Sequence, residues 1–215
     1  DSNFELEEKL DKNNKRQYIP LINPDKFKNI RFTYVRQKSQ KGLGDAVAHA
    51  SHLINDEPFA ILLADDLIIS DKSCLQQLSE VYYENNTSVI GVNRVEKENI
   101  SKYGVIEPNT VGKNLFIQNI VEKPSPDKAP SDLAVVGRYI FDSIIFDYLE
   151  QVKEDKSNEI QLTDAIQLML SDHKVSACEY YGNKFDCGSK SGYVEATVFM
   201  GLQDQDIANA LKKYF

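Results

Sequence analysis

Asp65 and Asp66 stand where an apolar run breaks, in FAILLADDLIIS from Phe59 to Ser70. The apolar residues Phe59 to Leu63 read as a short strand buried on both faces, and in α/β folds such strands present ligand-binding groups at their carboxyl ends. A carboxylate there is a candidate for a metal or phosphate site. The same pair would equally open a solvated loop, because aspartate is a turn residue. A second strand-end aspartate, Asp186, lies in KFDCGSKSGY, Lys184 to Tyr193, ahead of a turn at Gly188 and a helix carrying Lys190 and Gly192. Two carboxylates on separate elements suit a hard divalent cation such as Mg²⁺ if they converge, since that ion takes oxygen ligands and keeps several waters.

Two further groups could meet a substrate. In NIVEKPSP, Glu122 and Lys123 sit at a strand end halted by Pro124. Neighbouring strand residues point to opposite faces, so one would face a ligand and the other a phosphate or solvent. An exposed ion pair explains them as well. In QKSQKGLGDAV, Gln37 to Val47, Gly42 and Gly44 open a helix whose backbone N–H groups can face an anion or a base edge. The Gln37 amide both donates and accepts, as a pyrimidine edge requires. The spacing is neither the dinucleotide fingerprint nor the P-loop, and a glycine-rich helix start without a ligand fits the same residues. His49, His52 and His173 fall on helix faces and read as surface or core residues. No nucleophile–base arrangement or G-x-S-x-G run occurs, and a phosphatase built on Asp65 and Asp66 lacks the D-x-D spacing.

These residues need elements to hold them. A charged helix is expected over 4–17, then a connection over 18–29, a strand over 31–37 and an amphipathic helix over 43–54. A strand over 59–63, a helix near 72–85 and a strand over 88–92 continue the alternation that marks a parallel sheet with crossover helices. An antiparallel insertion around 103–122 follows, from strands at 103–107 and 115–122 joined by a turn. Next come a strand over 133–141, helices near 143–152 and 162–172, and strands at 175–181 and 184–186 with a tight turn at Gly182-Asn183. Helices at 190–202, with Ser189 as N-cap, and 204–214 close the chain. The expectation is one α/β domain over 1–215 with a mixed, mainly parallel sheet.

With 215 residues, 41% hydrophobic and 27% charged, the composition is that of an ordinary globular domain. No apolar stretch is long enough to span a bilayer, and the N-terminus carries no signal-peptide core. Cys74, Cys178 and Cys187 lack metal-ligand spacing and favour a reducing cytoplasm. A net charge of −8 argues against nucleic acid or an anionic membrane as main partner, but leaves small polyanions open, because local cations can reverse the sign in one cleft.

In chain order, VRQKSQKGLGDAV, PFAILLADD, SKYGVIEP, VEKPSPDKAPSDLAVVGRYIF, NEIQLTDAI and FDCGSKSGY resemble the bacterial UTP–glucose-1-phosphate uridylyltransferases, also called UDP-glucose pyrophosphorylases. The likeness runs from DSNFELE to near the C-terminus. EKP is shared with other sugar nucleotidyltransferases, whereas APSDLAVVGRY, NEIQLTDAI and DCGSKSGY are more specific. The resemblance implies a Rossmann-like nucleotidyltransferase fold and a Mg²⁺-dependent in-line attack by the phosphate of glucose 1-phosphate on the α-phosphorus of UTP. UDP-glucose and pyrophosphate result, with no covalent enzyme intermediate. It further implies Asp65 and Asp186 as metal ligands, Gln37 and Gly42 at uracil, and the Gly104 backbone and Glu122 at glucose hydroxyls. Lys123 would meet a phosphate, Gly137 would let the sugar approach, and Asp66 would shape the loop. A homodimer or homotetramer is the implied assembly at full length.

One departure stands out. The family's G-x-G-T-R loop and P-K-E-M segment, which bind the triphosphate, do not occur in this sequence. The expectation is therefore an N-terminally truncated fold, little transferase activity from these residues alone, and exposed apolar sheet surface. Two alternatives remain at this level: a sibling enzyme using dTTP or ATP, and a non-catalytic module that pairs with a partner supplying the N-terminal unit.

Overall fold

The computed structural model describes residues 3–22 and 29–214. The chain divides into two compact units, Asp1–Arg36 and Gln37–Phe215. The first contains helix α1 (Phe4–Lys12) and the single turn α2 (Ile19–Ile22). Asn3 caps α1 by accepting the Leu6 N–H at 3.1 Å, with Glu5 and Glu7 in the first turn and Lys9 and Lys12 in the last, as the helix dipole favours. The helix expected over 4–17 stops early because Asn14 takes a φ of +56°, which turns the chain out of the helix. No strand forms over 31–37, although the residues alternate. The first unit has no other described strand to pair with, and an unpaired strand gains little. The expected connection over 18–29 lies partly outside the described residues, at 23–28.

The second unit contains β1 (Phe59–Leu62), β2 (Asp66–Ile69), β3 (Val89–Arg94), β4 (Gly104–Val111), β5 (Asn114–Glu122), β6 (Leu133–Phe141), β7 (Ser176–Glu179) and β8 (Asn183–Asp186). Its helices are α3 (Gly42–Ala48), α4 (Cys74–Asn85), α5 (Ile145–Leu149), α6 (Leu162–Met169), α7 (Lys190–Gly201) and α8 (Gln205–Leu211). Six strands form one sheet in the order β1-β6-β3-β7-β5-β4, and β2 pairs with β8 in a separate ribbon.

The main sheet is mixed, but mainly antiparallel rather than mainly parallel. Among the described residues β3–β7 is its one parallel pairing; β1–β6, β3–β6, β4–β5, β4–β6 and β5–β7 are all antiparallel. The strand–helix–strand rhythm correctly makes β1 and β3 run the same way. It cannot show that β6, which begins only at Leu133, well after β3 ends at Arg94, inserts between them and runs against both. The antiparallel pairing expected around 103–122 forms as the β4–β5 hairpin, which lies at the far end of this sheet.

Alternation along β3 sends Ile90 and Val92 into a core shared with α3, α5 and α6, and Val89 into a second core beneath Leu78 and Cys74 of α4. Helices therefore cover both faces. The start of α4 is fixed by a capping box in which the Gln76 N–H donates to Ser73 Oγ and the Ser73 N–H to Gln76 Oε1. Ser189 caps α7 as expected, accepting the Gly192 N–H at 3.1 Å. The expected tight turn at Gly182-Asn183 does not join a hairpin, because β7 stays in the main sheet while β8 leaves to pair with β2. Among the described residues no helix is long and apolar enough to cross a membrane.

Candidate active site

The β2–β8 ribbon brings the two strand-end aspartates together. Asp66 pairs in register with Asp186, and the Asp65 carbonyl accepts the Cys187 N–H at 2.8 Å. Beyond β8 the chain turns at Gly188, whose N–H donates to Asp186 Oδ1 at 3.0 Å. A methyl placed on Gly188 would lie 3.1 Å from both Asp65 Oδ2 and Asp186 Oδ1. The two carboxylates thus converge on one small space that glycine leaves open.

Asp66 lines the same space, but its carboxylate is already engaged. Its Oδ2 accepts the Gly137 N–H at 2.8 Å, and its Oδ1 lies 3.0 Å from Lys184 Nζ. Both side chains of this ion pair are nearly closed off, at 12% exposure for Lys184 and 14% for Asp66, and the Lys184 ammonium lies 4.3 Å from the centre of the Tyr103 ring. Arg138 holds the loop from behind, donating to the Leu63 carbonyl at 3.0 Å, to the Gly137 carbonyl at 2.7 Å and to the Asp66 carbonyl. With Lys184 on Asp66 and the Arg138 guanidinium on the loop carbonyls, three carboxylates face two cations, and the remaining negative charge suits a bound cation. Among the described residues no group of three or more His, Cys, Asp or Glu side chains forms a metal cage. A two-carboxylate set fits an ion that completes its shell with water and substrate oxygens.

Asp65 and Asp186 line a cavity of about 310 Å³ together with Tyr103, Gly104, Glu122, Lys123, Gly137 and Thr163. Gly104 opens β4 directly opposite Glu122 at the end of β5. Glu122 Oε2 accepts the Thr163 hydroxyl at 2.6 Å, which ties the carboxylate to the first turn of α6. Lys123 breaks the alternation expected of neighbouring strand residues: its φ of +44° rolls the chain over, and its ammonium lies 3.5 Å from Glu122 Oε1. Both side chains therefore face one cavity. A left-handed lysine is a costly backbone state, and such states concentrate at functional sites. Gly137 is required by packing, since a methyl there would lie 2.5 Å from Leu63 Cβ and 2.7 Å from Asp66 Oδ2.

Gln37 and Gly42 do not line this cavity, though their neighbour Leu43 does. Gln37 Nε2 donates to Asp45 Oδ2 at 2.6 Å and to the Gly42 carbonyl at 3.3 Å. Gly42 has a φ of +88°, a conformation that favours glycine, and the Gly44 N–H is taken by the Ile160 carbonyl at 2.8 Å. The start of α3 thus packs on the 159–160 segment, and one of the amides expected to face a ligand is already committed.

Burial, followed by the Asp186 and Asp66 carboxylates, raises the Tyr103 phenol above its usual range. Burial with Glu122 and Asp66 does the same to Tyr139, so both stay neutral donors at physiological pH. Tyr103, Thr163 and Lys184 were not singled out from sequence. Lys184 stands two residues before Asp186 on one strand and could have been placed on its face. Thr163 meets Glu122 only through a long-range contact. A larger groove of about 660 Å³ lies along α4 and Glu179, but of its four carboxylates Glu80, Glu84 and Glu179 pair with Lys72, Lys113 and Arg94, which leaves Asp71.

The profile of the nucleotidyl transferase family matches residues 1–202. A UTP–glucose-1-phosphate uridylyltransferase of Staphylococcus epidermidis is 46% identical over 84% of this chain and 63% of its own length. One from Streptococcus pyogenes is 40% identical over 100% of this chain and 72% of its own. Among solved structures, a UDP-glucose pyrophosphorylase complexed with UDP-glucose is 36% identical with a TM-score of 0.75, covering all of this chain and 75% of that one. A UTP-bound UGPase from Acinetobacter baumannii is 33% identical with a TM-score of 0.87 at the same coverage. The chain spans about 63% of the length of the staphylococcal relative. Fold, motif order and these likenesses agree: the chain belongs to the nucleotidyl transferase family, among the UTP–glucose-1-phosphate uridylyltransferases.

Proposed function

We propose that this chain carries the sugar-and-metal part of a site that transfers the uridylyl group of UTP to glucose 1-phosphate. The observation that carries this reading is the convergence of Asp65 and Asp186 at Gly188, beside a cavity lined by Glu122 and Lys123. Asp65 and Asp186 would hold Mg²⁺, which when bound supplies neutralisation of charge on the transferred phosphate. The protein's own part is positioning. Glu122, oriented by Thr163, and the backbone of Gly104 would accept from and donate to glucose hydroxyls, and Gly137 would form part of the wall the sugar approaches. The Lys123 ammonium would meet the phosphate of glucose 1-phosphate, or the α-phosphate, as charge builds on it. Gln37 and Gly42 would contact the uracil. No side chain needs to form a covalent bond, since in-line displacement between two aligned anions asks for alignment and charge neutralisation.

The three unpaired cysteines support a reducing, cytoplasmic setting. A homodimer or homotetramer would be the assembly at full length. These 215 residues contain no G-x-G-T-R run, so pyrophosphate release by them alone should be close to background. The test is calorimetric titration of UDP-glucose in Mg²⁺ and in EDTA, with pyrophosphate release from UTP and glucose 1-phosphate measured alongside. Metal-dependent binding that disappears in Asp65→Ala and Asp186→Ala is expected. Binding that ignores both EDTA and the two substitutions would sink the metal assignment.

A further inference from the structure

We propose that Asp45 is a specificity-determining residue: it locks the side-chain amide of Gln37 so that this residue meets a nucleobase only as an acceptor. The inference rests on the reading of Gln37 as the base contact. Gln37 Nε2 points at Asp45 Oδ2, 2.6 Å away, and at the Gly42 carbonyl oxygen, 3.3 Å away. Neither partner has a proton to offer, so the amide cannot turn over without setting Oε1 against two oxygens. Both amide protons are used, and Oε1 is the polar atom this side chain has left. Asp45 is itself held on α3, only 15% exposed. Its carboxylate lies 3.5 Å from His49 Nδ1, and that nitrogen is 2.8 Å from the Asp45 backbone carbonyl.

The edge of uracil carries one donor, N3–H, between the acceptors O2 and O4. A glutamine that can only accept must meet that N3–H. Cytosine in the same pose presents the lone pair of N3 to Oε1, and its own donor, the 4-amino group, stands one position along the edge. The Asp45–Gln37 pair therefore admits uracil and thymine and rejects cytosine, and leaves the 5-methyl group to be read elsewhere. Asparagine at position 45 could offer Gln37 either a donor or an acceptor, which would leave only the more distant Gly42 carbonyl, at 3.3 Å, to oppose the turn.

The experiment measures calorimetric affinities of UDP-glucose, CDP-glucose and N3-methyl-UDP-glucose, with Mg²⁺, for the unsubstituted chain, Asp45→Asn and Gln37→Ala. The unsubstituted chain should prefer UDP-glucose by about tenfold or more over both analogues, as expected when a hydrogen bond is replaced by an unpaired group. Asp45→Asn should raise the relative affinity for CDP-glucose while the N3-methyl compound stays weak. A purely structural role for Asp45 would weaken all three ligands together and keep their ratios, and that result overturns the proposal. Equal affinity of the unsubstituted chain for UDP-glucose and CDP-glucose also overturns it. If Gln37→Ala binds UDP-glucose as tightly as the unsubstituted chain, the base-contact reading fails and takes the proposal with it. Weaker binding by Gln37→Ala with unchanged ratios in Asp45→Asn leaves the reading standing and removes only the proposal.

Discussion

Lys184 offsets the like charges of Asp66 and Asp186, which stand opposite each other in the ribbon where carboxylates repel. Replacing it with methionine leaves Asp66 nearly enclosed without its cation and should cost about 2 kcal/mol in urea unfolding, below the value for a fully buried pair. Lys184→Arg should recover most of that. Gly137→Ala forces a methyl against Leu63 and Asp66, and β6 and the loop must separate. A loss of about 1–3 kcal/mol is expected, together with weaker UDP-glucose binding, because the loop carries Asp65. Stability kept at the unsubstituted level in Gly137→Ala would show that the loop yields freely. At this scale the placement of Asp65, Asp186, Glu122 and Lys123 at or just beyond strand ends was legible, because an apolar run followed by a polar break marks where a strand stops. The left-handed φ of Lys123 was not, since no local residue type demands it.

Among the elements, the 155–161 segment has the clearest pH signature. Asp155 accepts the N–H groups of Ser157 and Glu159 and the Gln161 amide, and the next residue, Ile160, receives the Gly44 N–H and donates to the Lys41 carbonyl. The Gln161 hydrogen bond first, then that of the Glu159 backbone, holds the Asp155 carboxyl below its ordinary value of 3.8. A lowered folded value stabilises the fold fully above the unfolded pKa, and that contribution disappears as pH falls through the folded one. Asp155→Ala should therefore lower the urea midpoint at neutral pH, with the difference shrinking below pH 3.8. A midpoint difference that grows on acidification would contradict the assigned sign. The sequence pattern gave β6 to the residue and β5 to within one, because apolar runs bounded by turn residues admit one reading, whereas β4 runs on to Val111, past the expected end at 107. It missed β2, four residues that begin on the second of two turn-prone aspartates and whose partner lies far along the chain.

For the molecule as a whole, the weak point is the end of the main sheet. Among the described residues β1 pairs only with β6, and within its four apolar residues, of which Leu62 is 52% exposed, there are none of the charges or prolines that usually blunt an edge. Light scattering should show concentration-dependent association, reduced by Leu62→Lys; equal scattering by both proteins would exonerate this edge. The mixed sheet was readable from the succession of elements, whereas strand direction was not, because direction depends on which strand inserts between which. The β2–β8 ribbon adds an ordering in time. One of its strands comes from the first third of the chain and the other from the last, so a polypeptide leaving the ribosome carries Asp65 and Asp66 long before Lys184 and Asp186 exist. The two carboxylates proposed to hold the ion can meet only after Asp186 has been made, so a chain interrupted before it cannot form the pair.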